Sequence, residues 1–100
     1  MREQQKVADF IERHGLDAAP GFRILDLVAE VGEIAGDAAK SSDYGLETDG
    51  LEVNEDEVGD AIFSLLAVAE GLGIDASEAL EKSLEKYESR IDDKGEPSSR

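Results

Sequence analysis

Two short acidic words, EVGE at 30–33 and EVGD at 57–60, each place carboxylates three residues apart in segments that otherwise read as helical. Residues i and i+3 share a helix face, so Glu30 with Glu33 and Glu57 with Asp60 form two pairs of oxygen donors, each pair aimed one way. Two such pairs set face to face would suit Mg²⁺, with Mn²⁺ as the alternative, because these hard cations bind carboxylates while keeping water and accepting phosphate oxygens. No Lys or Arg lies between Lys40 and Lys82. A metal ion is therefore the cation this cluster calls for. Gly32 and Gly59, inside the two words, each cost about 1 kcal/mol relative to Ala in a helix. At the edges of the apolar stripes, they are expected to let the two helices approach closely.

The elements that must carry these groups follow from hydrophobic spacing. Residues 2–14 hold Val7, Phe10 and Ile11 at helical intervals before Gly15, a C-terminal stop. From about Phe22 to Ala39, the residues Ile24, Leu27, Val28, Val31, Ile34, Ala35 and Ala38 form one apolar stripe. On that helix Asp26, Glu30, Glu33 and Asp37 form an acidic stripe expected to point largely away from the apolar centre. The stretch SSDYGLETDGLEVN has turn residues and no period, so it reads as a loop. Asn54 then caps a third helix, with Glu57 placed as in a capping box. That helix continues as AIFSLLAVA, apolar nearly all round, and is expected to be covered on most sides. Asp60, at its mouth, should be withdrawn from water, where an unpaired charge costs several kcal/mol. After EGLGI, Asp75 with Glu78 opens a fourth helix with a seam of Leu80, Leu84, Tyr87 and Ile91. The expected fold is an all-α antiparallel four-helix bundle over residues 1–91, followed by a frayed tail at 92–100.

Composition narrows the function classes. A chain of 100 residues buries only a modest core, so completion by oligomerisation is expected. Cysteine is absent, which removes disulfides, thiolate metal sites and cysteine nucleophiles. No apolar run is long enough to span a membrane and the N-terminus lacks a secretory pattern, so no membrane partner and a cytoplasmic location are expected. The net charge is −15, from 25 acidic residues against ten Lys and Arg. Such an imbalance argues against a nucleic acid duplex as partner, since phosphate backbones need clustered cations.

Other sites fail on their residues. His14 is the only histidine and stands at a helix end, so the E-x-x-H pairs of a di-iron bundle are missing. An EF-hand register through the acidic loop puts Gly45 at the first ligand position and Asp56 at the twelfth, where a Glu belongs. There is no phosphate-binding glycine loop and no nucleophile elbow.

The order E-x-x-E, loop, E-x-x-D resembles the MazG family of all-α nucleoside triphosphate pyrophosphohydrolases. The similarity runs from about Phe22 to Arg90 through LVAEVGEIA, SDYG, DEVGDAIFSLLAVAEGLGID and ALEKSLEKYESR. The resemblance implies a dimer or tetramer, Mg²⁺ dependence, and cleavage of a nucleoside triphosphate to a monophosphate and pyrophosphate. It makes Glu30, Glu33, Glu57 and Asp60 the metal ligands, with Glu30 or Glu33 also orienting the attacking water. It places phosphate-contacting cations on the fourth helix, where Lys82, Lys86 and Arg90 share a stripe and Lys82 and Lys86 are favoured. Lys40 and Tyr44 border the loop, where either could touch substrate, but a structural role is the expectation for each. The family writes E-E-x-x-E, and Ala29 replaces the first glutamate here. A non-catalytic module that keeps the helical fold is the alternative.

Self-repulsion at this net charge destabilises a compact state in dilute salt, and at about 1 M salt the screening length falls to about 3 Å. The composition thus fits the salt-rich cytoplasm of a halophile. The thermal unfolding midpoint is expected to rise between low and molar KCl; a midpoint that stays level would overturn this.

Overall fold

The computed structural model describes residues 2–99. Four α-helices follow in order, α1 (Arg2–His14), α2 (Pro20–Ser41), α3 (Glu55–Gly71) and α4 (Ala76–Lys94), with one 3₁₀ turn at Thr48–Gly50 and no strand among the described residues. α2 exceeds its expected span by two residues at each end. Pro20 fits the first turn because its missing N–H has no helical partner there. At the other end, the Ser41 and Ser42 hydroxyls fold back to donate to the carbonyls of Asp37 and Ala38 at 2.7 and 2.6 Å, the i to i−4 back-bonding common to serines in helices.

α3 begins where Asn54 accepts from the Asp56 N–H at 3.2 Å, but Glu57 does not complete a capping box. The Asn54 N–H is taken instead by Asp37 Oδ2 at 3.1 Å. α4 opens at Asp75, whose carboxylate accepts from the Ser77 and Glu78 N–H groups. It runs three residues past Ile91, so Asp92, Asp93 and Lys94 are helical where fraying was expected. Gly95 closes it in the left-handed region at φ +80°, with its N–H on the Ile91 carbonyl at 2.7 Å.

The core is small. Val7 of α1 and Leu66 and Ala67 of α3 are buried together, flanked by Ile11, Phe63 and Ala76. Phe10 meets Phe63 edge-on, at 5.9 Å between ring centroids. Gln4 is buried and clamps three segments: its amide donates to Glu70 and to the Ile74 carbonyl, and accepts from the Ala76 N–H. α2 packs along α3, with Pro20 beside Gly71 at one end and Asp37 at Asn54 at the other. Contacts therefore advance along α2 as they retreat along α3.

The face that α2 turns to α3 corrects the sequence expectation. Leu27, Glu30, Ile34 and Asp37 are half-buried, whereas Leu25 and Val28 are 64% exposed and Val31 51%. Two of the stripe's acids thus point inward, while much of the apolar stripe points out. α3 is likewise uncovered along Val58, Ile62 and Leu65, and Asp60 is exposed rather than withdrawn from water. The reason is that α4 barely touches the other helices, leaving Leu80, Leu84, Tyr87 and Ile91 in the open. The glycine expectation also fails, because a Cβ added at Gly32 or Gly59 would meet nothing within 4 Å. The radius of gyration is 16.6 Å, against about 13 Å for a compact domain of this length.

Candidate functional site

The acids of α2 and α3 come together because α2 crosses the start of α3 with its polar edge inward. Glu30 lies close enough to Glu33 to hydrogen-bond with it, and it feels the charge of Asp60 across the helix pair. Glu57 hydrogen-bonds with Asp37 and feels both Glu33 and Asp60. The four expected ligands thus lie within one another's electrostatic reach, and Asp37 joins them. Sequence reasoning had put Asp37 on the same stripe as Glu30 and Glu33 without selecting it. The signal was available in its spacing, four residues beyond Glu33.

The electrostatics reflect carboxylates crowded without counterions. Desolvation, followed by the charges of Glu33 and Asp60, raises Glu30 above the ordinary glutamate value. Glu57 is pushed up to about 7, first by its hydrogen bond to Asp37, then by desolvation and the neighbouring acids. Asp37 moves the other way, lowered by that same hydrogen bond, by the Asn54 N–H and by the charge of Lys40. The two shifts run in opposite directions, as for a pair that titrates as one unit with the proton favoured on Glu57.

One oxygen on each side of the helix pair, Glu30 Oε2 and Glu57 Oε2, is buried without a hydrogen-bond partner. Orphaned acceptors of this kind cost free energy, and a divalent cation is a partner whose chemistry suits them. Among the described residues no three acidic side chains stand close enough together to hold a metal ion as they are placed, so binding one would require these side chains to draw together. The donor set fits Mg²⁺ in kind, with Glu30, Glu33, Glu57 and Asp60 as the side chains to hold it.

The expected cations lie elsewhere. Lys82 is exposed and pairs with Glu78 at 3.6 Å, and Lys86 Nζ stands 5.0 Å from the Tyr87 ring centroid. Neither is among the charges acting on Glu30 or Glu57. Arg90 donates to the Pro97 carbonyl at 3.2 Å. Tyr44 is 76% exposed and, with Asp43 and Gly45, holds a positive φ, so three consecutive left-handed residues turn the chain out of α2. His14 is exposed, as expected of a helix end, with its ring 4.5 Å from that of Phe10. Lys40 is the basic residue nearest the acids in sequence, and it lines two cavities beside them. One, of about 350 Å³, follows Ala29, Gly32 and Gly36 past Glu33, Asp37 and Glu57. The other, of about 480 Å³, lies between the end of α2 and residues 52–54.

The raised affinity of Glu57 for a proton makes stability depend on pH. Glu57 binds its proton more tightly folded than unfolded, so its contribution is complete below its ordinary value of 4.5 and is lost as pH rises through about 7. Without divalent cations, the unfolding midpoint should fall across that window, and Glu57→Gln, which keeps a neutral partner for Asp37, should flatten the fall. Equal slopes in both proteins would refute the pairing. No family model matches the chain, and no curated protein or solved structure matches it either.

Proposed function

We propose that the chain is a Mg²⁺-dependent nucleoside triphosphate pyrophosphohydrolase of the MazG-like type. It would cleave ribo- or deoxyribonucleoside triphosphates to the monophosphate and pyrophosphate. The observation that carries the reading is the meeting of carboxylates from α2 and α3 around two buried, unpartnered oxygens, Glu30 Oε2 and Glu57 Oε2. The open groove lined by Glu33, Asp37 and Glu57 supports it further.

When bound, Mg²⁺ supplies positive charge toward the phosphates and acidifies water at the site. Glu30, Glu33, Glu57 and Asp60 would hold the cation, whose charge would offset that of an anionic protein toward an anionic substrate. Glu30 or Glu33 orients a water molecule toward the α-phosphorus and accepts its proton as the new P–O bond forms. The bond from the α-phosphorus to the bridging oxygen breaks, and the pair of electrons leaves with pyrophosphate. Ala29, where the family has a further glutamate, lies at the rim of the groove rather than between the helices, so its small side chain leaves the ligand positions intact.

The same proposal includes a homo-oligomer, an antiparallel four-helix bundle built from α2 and α3 of two copies. The chain exposes 7348 Å², about 1,800 Å² more than a compact monomer of its mass. Covering that excess on two chains would bury about 3,600 Å², which lies in the range of obligate homodimers. The outward stripes Leu25, Val28, Val31 and Val58, Ile62, Leu65 are the surfaces to be covered.

Incubation with a panel of triphosphates in molar KCl and Mg²⁺ should release pyrophosphate, and Glu57→Ala or Asp60→Ala should reduce the rate by at least about 100-fold. Release unaffected by either change would reject the site assignment. A folded protein with no turnover on any substrate would leave the non-catalytic module. Sedimentation in the same buffer should give twice the chain mass or a multiple of it, reduced by Val28→Asp; a monomeric wild type would reject the oligomer.

A further inference from the structure

We propose that Lys40, rather than a cation of α4, is the residue that binds the polyphosphate end of the substrate. The inference rests on the pyrophosphohydrolase reading and adds a residue to it. Lys40 occupies the last turn of α2 and is the only basic residue between Arg23 and Lys82. It lines both cavities flanking Asp37. The groove beside it runs along α2 from Ala29, and its floor is open because Gly32 and Gly36 present no side chain and a Cβ there would meet nothing within 4 Å. Glu33 marks the metal-binding part of that groove and Lys40 its far end, seven residues on. That is about 10 Å along the helix, a span bridged by a phosphate chain together with a lysine's flexible four-carbon stem.

Availability separates Lys40 from its rivals. Lys82 is engaged with Glu78, and Lys86 lies against Tyr87. Among the described residues Lys40 makes no ion pair within 4 Å and no side-chain hydrogen bond; it acts on Asp37 only at longer range. A lysine in a helix's last turn also complements the helix dipole, but that role needs no groove leading to the carboxylates. In the reaction, Lys40 would hold the β- and γ-phosphates as negative charge accumulates on the departing pyrophosphate.

The test is calorimetric titration of inorganic pyrophosphate, with Mg²⁺ in molar KCl, into the intact oligomer of wild type, Lys40→Ala, Lys40→Arg and Lys82→Ala, with a nucleoside monophosphate as second ligand. Lys40→Ala should weaken pyrophosphate binding by about tenfold or more while monophosphate binding changes by less than about twofold, and Lys40→Arg should restore most of the loss. Lys82→Ala should bind like wild type. Pyrophosphate binding that survives Lys40→Ala, or is lost in Lys82→Ala instead, overturns the assignment to Lys40 and leaves the enzyme reading standing. A wild type that binds neither Mg²⁺ nor pyrophosphate and has no turnover removes both. Circular dichroism and sedimentation show whether each variant keeps its helices and assembly, and equal loss of both ligands in Lys40→Ala would mark a structural role and reject the proposal.

Discussion

Asp37 joins the second helix to the third through one carboxylate. Its Oδ2 takes the backbone N–H of Asn54 just where α3 begins, and the same carboxyl lies beside that of Glu57 one turn inside that helix. The N–H contact fixes the register of α2 against α3, and the raised affinity of Glu57 for a proton eases a contact that two ionised acids would resist. Glu33, Glu57 and Asp60 are brought within each other's field by the same crossing. The site is thus a by-product of how the helix pair is fastened, and its charge state is part of the fastening.

A second constraint acts from outside. α2 spends part of its inward face on Glu30 and Asp37, so its apolar residues are not all used within the chain. Leu25, Val28 and Val31 turn outward as the direct geometric consequence of acids turned inward. An acidic site between two helices and an apolar surface on their backs are two sides of one rotation of α2 about its axis. The high negative charge of the remaining surface then falls on solvent and salt to screen.

The helices were legible because their signals are local. Val7, Phe10 and Ile11 set α1, and Asn54 and Asp75 mark the starts of α3 and α4 as capping acceptors, although Glu57 does not complete the box expected at Asn54. Ends were less legible where the deciding group was itself a side-chain bond, as with Ser41 and Ser42 extending α2. The grouping of Glu30, Glu33, Glu57 and Asp60 could be read from spacing, since i, i+3 pairs share a face whatever the tertiary context. What could not be read was the rotation of α2. A wheel drawn for one helix assumes that its apolar side meets its own chain, and here Leu27 and Ile34 do so while Val28 and Val31 do not. Gly32 and Gly59 face open space for the same reason, whereas Asp60 is exposed because α4 stands apart and does not cover α3.

The detachment of α4 bears on how the molecule breathes. Its 19 residues are tied to the rest chiefly through the turn clamped by Gln4, so opening it exposes little that is not already exposed. Amide protection in such a helix is set by local fluctuation, while α3, held by both α1 and α2, opens only when the cooperative unit does. An isolated helix of that length is barely stable in water. The order of α4 in solution is therefore a sensitive gauge of whether something lies against it.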